Sequence, residues 1–224
     1  MKIFDYDGVL MQVSLKIVGF LELSLLWLVS SIPIVTIGAS STALYFTITK
    51  VLRGGEGYIW EEYWGAFRSN FKQATVIWLL QAVSGCLIAL SCYYTYHLYQ
   101  AEIISKNNVI IIFVLVLVLI MWALYFLPYI ARFSDSMKVV FRNCTLMFLG
   151  NIGPSVINLL CFSVALAAIV VFPAGILLAP TGYALLSSFS LEKIFRKYIP
   201  NEEIPCHAAE GKPMERIAID EDPT

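Results

Sequence analysis

Charged residues are scarce in this sequence, and their scarcity indicates the class of protein. Of the 224 residues, 14% are charged and 59% are hydrophobic, with a mean hydropathy of +0.76. A soluble domain of this length needs a more polar surface than that. The composition therefore excludes an ordinary soluble domain and predicts a membrane protein.

Catalytic and ligand-binding motifs are also missing from the chain. It has no Walker phosphate loop, no HExxH and no GxSxG. His97 and His207 lie far apart, and Cys206 beside His207 does not make a metal site by itself. We therefore expect no enzymatic activity, no cofactor and no metal.

Cysteine pairs and basic patches are likewise lacking. None of the five cysteines pairs with another in a predicted external loop, so no disulfide framework is expected. The basic residues collect near the ends of apolar segments and form no patch for nucleic acid. We expect contact with membrane lipids and none with nucleic acid.

Long apolar runs dominate what the sequence does contain. A bilayer crossing needs roughly 20 apolar residues, and we count six such segments. They are residues 13–31, 35–52, 74–96, 109–130, 153–172 and 173–191. The fold class is therefore predicted as all-α and polytopic, with about six transmembrane helices. The turns at Pro33 and Pro173 carry no charge, so the distribution of charges does not distinguish full crossings from re-entrant hairpins at these two turns.

The basic residues predict the orientation of these segments. Lys and Arg accumulate in short loops on the cytoplasmic side. With six crossings and both termini inside, all but Lys106 of the 15 basic residues fall on that side. We expect a multi-pass protein of the bacterial cell membrane with cytoplasmic termini.

The two ends of the chain are interpreted differently. Asp5 and Asp7 make a poor signal-peptide start and no small-residue cleavage pattern follows, so the N-terminal segment is expected to be retained. Residues 1–200 form the predicted transmembrane domain. Residues 201–224 are acidic without an apolar period, which predicts a disordered cytoplasmic tail.

The stretch "WEEYWGAFRSNFKQATVIW" from Trp60 to Trp78 has a charged first half and an apolar second half. At 100° per residue, one face carries five rings: Trp60, Tyr63, Trp64, Phe67 and Phe71. Trp and Tyr favour the headgroup level of a membrane. We therefore expect an amphipathic helix along the cytoplasmic interface that turns into the membrane at Ala74.

A second stripe repeats this pattern farther along the chain. It consists of Phe133, Met137, Val140, Phe141, Cys144 and Phe148, and it predicts a second interfacial helix. A Pro at each outer turn and a basic inner end in each half suggest a parallel internal repeat. Chance similarity between apolar segments stays the alternative.

Glu22 is the single residue that most strongly indicates a functional site. It lies six positions, or about 9 Å of helix, beyond Lys16. A carboxylate at that depth must be paired, hydrated or protonated. Asn158 and Thr181 beside Pro180 are further candidate intramembrane polar groups. A proton or cation site is one interpretation, and a hydrogen-bonded packing residue is the other.

Small residues recur at four-residue spacing after the first predicted turn. Gly38 with Thr42 and Ala39 with Ala43 would let two helix backbones approach closely. A substrate path could also use such hydroxyls, but helix packing is the favoured interpretation.

Three stretches resemble the YesL family of bacterial membrane proteins, a domain of unknown function. They are "PIVTIGASSTALY" (33–45), "RGGEGYIWEEYWGAFRSNFKQATVIW" (53–78) and "LPYIARF" (127–133). The likeness covers about residues 5–200. It implies several membrane helices and association with oligosaccharide uptake by ABC importers in Gram-positive bacteria, and it supplies no binding residues. Glu22 is not part of the family's motifs.

The first hypothesis that follows is an accessory or assembly subunit of an ABC-type oligosaccharide importer. The exposed contacts for permease subunits would be Arg53, Glu56, Glu61, Glu62 and Arg68 together with the five rings. The alternative is an autonomous small-solute transporter or channel that uses Glu22, either alone or as a homo-oligomer. An intramembrane enzyme is the least favoured interpretation, because no nucleophile, base and metal set is present.

Overall fold

The computed structural model describes residues 9–102, 105–172 and 175–198, and within these ranges the chain contains helices and no strand. The protein is all-α and polytopic, as predicted. The acidic segment 201–224 and the first eight residues lie outside the described ranges.

The helices follow one another through short connections. The first part of the chain forms α1 (Val9–Ser30), a single 3₁₀ turn (Ile34–Thr36), α2 (Ile37–Thr47) and a π-helical segment (Ile48–Arg53). The rest forms α3 (Ile59–Gln100), α4 (Lys106–Ala123), α5 (Phe126–Arg132), α6 (Met137–Gly150), α7 (Ile152–Val171) and α8 (Gly175–Tyr198).

Four helical stretches of the described chain are long and apolar enough to cross a membrane. They are Ile34–Arg53, Ile59–Gln100, Lys106–Arg132 and Ile152–Val171. The other two predicted segments correspond to α1 and α8, which have 22 and 24 residues. Length and composition thus agree with a membrane protein, and the count of six crossings stays a prediction.

The stretch from Ile34 to Arg53 is the central element of the bundle. Most of it is buried, whereas the other three apolar stretches expose most of their residues. It packs against α1, α3, α5 and α8. The exposed apolar side chains of the other helices suit contact with the acyl chains of a bilayer. The buried interior of the protein is formed around α2.

Small residues explain why α2 and α3 lie so close together. A Cβ atom added at Gly38 would lie 2.5 Å from Trp78 Cβ and 2.6 Å from the Ala74 carbonyl oxygen. Ala39 and Ala43 are fully buried, and Thr42 donates to the Gly38 carbonyl at 2.9 Å. Gly38 therefore lies at the close contact between α2 and α3, and Ala39, Thr42 and Ala43 are buried beside it.

α3 differs from the prediction in an important way. It is one continuous helix of 42 residues, about 63 Å long at 1.5 Å per residue. The chain does not turn at Ala74, so the expected boundary between an interfacial helix and a membrane helix is wrong. The apolar residues after Ala74 continue the same α-helix, because no Pro between Ala74 and Gln100 interrupts its hydrogen bonds.

The two halves of α3 have different surroundings. Its first half runs antiparallel to α2, since Lys50 pairs with Glu62 and Trp78 Nε1 donates to the Ile34 carbonyl at 2.9 Å. Its second half extends beyond the start of α2 and packs against α4, where Gln81 donates to the Ala123 carbonyl at 2.8 Å. The charged half of α3 is therefore held by protein on one side.

Candidate functional site: the charged end of the bundle

The first ion pair of the bundle joins the π-helical segment to α3. Lys50 Nζ lies 2.7 Å from Glu62 Oε1, and the two side chains are only 6% and 16% exposed. A Cβ atom at Gly57 would lie 2.7 Å from Glu62 Oε1, so a larger residue there would push this carboxylate out of its position. Glu62 was expected as an exposed docking contact, and that expectation is wrong because Lys50 holds it inside.

Arg53 ties the same segment to α8. Its Nη1 atom donates to Ser188 Oγ at 3.1 Å, and its guanidinium lies 4.3 Å from the centroid of the Phe189 ring. Both contacts anchor the end of the π-helical segment. Short π segments are rare and are found mostly at functional positions, and here one carries both Lys50 and Arg53.

A second and more deeply buried ion pair joins α5 to α8. Arg132 donates to Glu192 Oε2, and the two side chains are 8% and 7% exposed. Glu192 Oε1 and the Tyr45 hydroxyl are both buried without a hydrogen-bond partner in the described chain. The Tyr45 hydroxyl lies within electrostatic reach of Glu192 and Arg132. Buried polar groups of this kind require water or a ligand for full satisfaction.

The five rings of α3 form a ladder that faces mainly the protein. Adjacent centroids lie 5.9 Å apart for Trp60–Trp64, 5.3 Å for Trp64–Phe67 and 5.5 Å for Phe67–Phe71. Trp64 and Phe67 are half-buried. The interpretation of all five rings as membrane anchors is therefore wrong for the middle of the ladder, which packs on the core formed around α2.

Tyr63 is the innermost ring of this ladder. It is fully buried, and its hydroxyl lies 2.5 Å from Ser30 Oγ at the end of α1. Because this tyrosine of α3 hydrogen-bonds to Ser30 of α1 and is part of the buried core, it fixes the relative positions of α1 and α3. Its role is in helix packing, and it is not accessible to a partner protein.

Several of the predicted docking residues do lie on the surface at this end. Glu56, Glu61 and Arg68 are exposed, and so are Trp60 and Phe71 at the two ends of the ring ladder. The loop before α3 also exposes Tyr58 and contains Gly55 and Gly57 with φ of 77° and 79°, a conformation that favours glycine. We call the surface formed by Glu56, Tyr58, Trp60, Glu61 and Arg68 the charged rim.

The three candidate intramembrane polar residues do not come together. Glu22 is exposed on the outer side of α1. Thr181 is buried and accepts a hydrogen bond from Ser24 at 2.9 Å, and Asn158 is buried and accepts one from Tyr183 at 3.2 Å. The structure therefore does not form a single site from Glu22, Asn158 and Thr181.

α6 carries the second predicted stripe except for Phe133, which follows α5 in extended backbone. Val140, Cys144 and Phe148 are buried against the core, whereas Leu146 is exposed. Burial raises the pKa of the Cys144 thiol, because the thiolate would have to leave water. This thiol is therefore inert, and α6 acts as a packing element.

The connection before α6 holds a polar cluster that sequence reasoning missed. Tyr129 donates to Asp135 Oδ2 at 2.6 Å, Asn143 donates to the Tyr129 hydroxyl at 2.7 Å, and Gln73 donates to the Asp135 carbonyl at 2.8 Å. An open groove of about 380 Å³ lies beside it. This groove is lined by Lys72, Gln73, Val76, Asp135, Ser136 and Met137.

Sequence reasoning also missed both ion pairs. One feature of the sequence could have indicated them, because each buried acidic residue lies near a basic helix end. Glu62 follows Lys50, and Glu192 precedes Lys193. Among the residues that the structure describes, no three His, Cys, Asp or Glu side chains cluster as metal ligands would.

The fold and this arrangement of charges define the class of protein. It is an all-α polytopic helical protein whose apolar helices surround a buried central helix, with two buried ion pairs at the basic helix ends. Residues 20–92, about a third of the chain, match the family model described as "Protein of unknown function, DUF624". The matched segment contains the second half of α1, all of α2 and its π-helical extension, and most of α3. No curated protein and no solved structure matches the chain.

Proposed function

We propose that this protein is a non-enzymatic accessory or assembly subunit of an ABC-type oligosaccharide importer and a member of the YesL family. Two of the three stretches that resemble this family, 33–45 and 53–78, fall inside the segment that the DUF624 model matches. The family context supplies the substrate class of the importer. The bacterial cell membrane and the cytoplasmic position of both termini belong to this proposal.

The observation that supports a docking role is the charged rim. Lys50 with Glu62 holds the π-helical segment against α3, and Arg53 with Ser188 holds it against α8. Glu56, Glu61 and Arg68 stay exposed beside them. Charges on a fixed backbone give specificity and orientation at an interface, because a partner must present complementary charges at the same spacing. The rim therefore suits the cytoplasmic side of permease subunits.

Purification of the tagged protein from its native host in mild detergent, followed by mass spectrometry, tests this proposal. We expect importer permease subunits in fixed ratio with the wild-type protein. The change Arg68→Glu should reduce their recovery several-fold, because it reverses one charge of the rim. The matched control is Lys106→Glu, which reverses a charge at the start of α4 and should leave recovery unchanged.

Two results would contradict the accessory role. One is recovery of the wild-type protein without permease subunits. The other is equal recovery of permease subunits by Arg68→Glu and Lys106→Glu, which would exclude the charged rim as the docking surface.

Autonomous transport of a small solute is the second candidate function. It is favoured by polar atoms on the inner faces of three helices that are buried without a partner in the described chain: Tyr45 Oη, Asn158 Nδ2 and Glu192 Oε1. Glu22, on the outer side of α1, is not part of that set. Flux of sugars or ions in sealed vesicles that contain only this protein would support transport, and Glu192→Gln should then change it. The absence of flux in correctly inserted vesicles would contradict it.

A further inference from the structure

One face of α1 exposes an apolar stripe with regular spacing. Leu15, Val18, Leu25 and Val29 are each 54–60% exposed. With Glu22 between them, their positions alternate in steps of three and four residues along the helix. This is the spacing of the a and d positions in a helix that packs against a partner helix.

Glu22 occupies the middle of this stripe at an a position. It is exposed, and no hydrogen bond or ion pair joins it to another residue of the described chain. An ionisable side chain on an apolar helix face is costly in a bilayer unless a partner satisfies it. The described residues offer Glu22 no polar partner, so a polar group on a second molecule would satisfy it.

We propose that the α1 stripe is the contact between two copies of this protein, with the two Glu22 carboxyl groups hydrogen-bonded to each other. The proposal rests on α1 crossing the membrane, and it does not depend on the accessory role. Copies inserted in one membrane share one orientation, so two α1 helices that meet along this face are parallel. In a parallel pair, an a position meets the same a position of the partner helix.

The chemistry of Glu22 fits this symmetric contact. Two carboxyl groups that face each other can share one proton, so each satisfies the other without a basic residue. Polar side chains hydrogen-bond in this way across membrane helices. A partner of different sequence would need a basic or amide group at the same depth, and lipid would supply none.

Disulfide trapping in membranes tests the contact directly. All native cysteines are replaced, and one cysteine is introduced at Leu25, the next stripe position after Glu22. We expect a cross-linked dimer from Leu25→Cys. Leu87→Cys on α3 is the matched control, since Leu87 is equally exposed but lies away from the stripe, and it should give none.

Changes at Glu22 then separate its role from apolar packing. In the Leu25→Cys protein, Glu22→Gln should keep the dimer because two amides also hydrogen-bond. Glu22→Leu should weaken it by roughly fivefold to thirtyfold, the effect of losing one interhelical hydrogen bond. Glu22→Lys should abolish it by charge repulsion, and co-expression with the Glu22 protein should restore mixed dimers through a Lys–Glu pair.

Three outcomes would overturn the proposal. One is cross-linking of Leu25→Cys no stronger than that of Leu87→Cys. Another is equal dimerisation of the Glu22→Leu and Glu22 proteins. The third is failure of the Glu22→Lys protein to form mixed dimers with the Glu22 protein, which would indicate a partner of another kind. Because Glu22 is exposed, unchanged circular dichroism and thermal unfolding of each variant show that the monomer fold is intact.

Discussion

Single residues determine how tightly the central helix is held. Gly38 allows α2 to contact the α3 backbone, because any side chain there would meet the Ala74 carbonyl oxygen and Trp78 Cβ. Gly85, on the second half of α3, has no atom within 4 Å of the position that a Cβ would take. The same substitution at these two glycines therefore has opposite consequences.

The change Gly38→Ala should lower the free energy of unfolding by about 1–3 kcal/mol through overpacking. Gly85→Ala should leave it unchanged or raise it by about 0.5–1 kcal/mol, since alanine favours the helix. Thermal unfolding in detergent measures both. Equal melting temperatures for the two variants would contradict the close contact between α2 and α3.

The ion pair between Arg132 and Glu192 also acts at the residue scale. Because both side chains are almost fully buried, Glu192→Leu leaves a buried guanidinium without its partner and should cost about 3–5 kcal/mol. The double change Arg132→Met with Glu192→Leu should cost less than Glu192→Leu alone. Chemical denaturation of the three proteins tests this order, and a double variant less stable than Glu192→Leu would refute it.

At the scale of elements, α3 is the main departure from sequence-based expectation. The rings of its first half were correctly assigned to one helical face, because spacing in the sequence determines which side chains share a face. What covers that face could not be predicted. Either a membrane interface or a neighbouring helix can cover a face of aromatic rings. In this protein α2 lies beside them.

The continuity of α3 can be measured with spin labels at Glu61 and Leu98. In one straight helix these positions lie about 56 Å apart along the axis, whereas a right-angle turn at Ala74 would bring them to about 41 Å. We expect pulsed dipolar spectroscopy to give the longer distance. Labels at Val76 and Leu98, about 33 Å apart in either case, provide the control for label geometry.

At the scale of the whole molecule, the basic residues and the apolar helices predict one orientation in the membrane. The charged rim surrounds the N-terminal end of α3, and Lys106 follows its C-terminal end. If α3 crosses the membrane, these two regions face different compartments. The positive-inside rule then predicts that the rim faces the cytoplasm.

Cysteine accessibility in intact cells tests this orientation. In a protein without native cysteines, Lys106→Cys should react with a membrane-impermeant maleimide from outside, and Glu56→Cys should react only after lysis. Labelling of both positions before lysis, or of neither, would show that α3 does not cross the membrane as predicted.

The sequence by itself determined the class of fold and which side chains share a helical face, because composition and spacing are local properties of the chain. Only the tertiary structure decided which charged residues form ion pairs inside the bundle. Lys50, Glu62, Arg132 and Glu192 pair across helices that are distant in sequence, and such pairing depends on how the helices pack. The structure likewise placed Glu22 outside and Tyr63 inside, since the direction in which a helix face points is set by its neighbours.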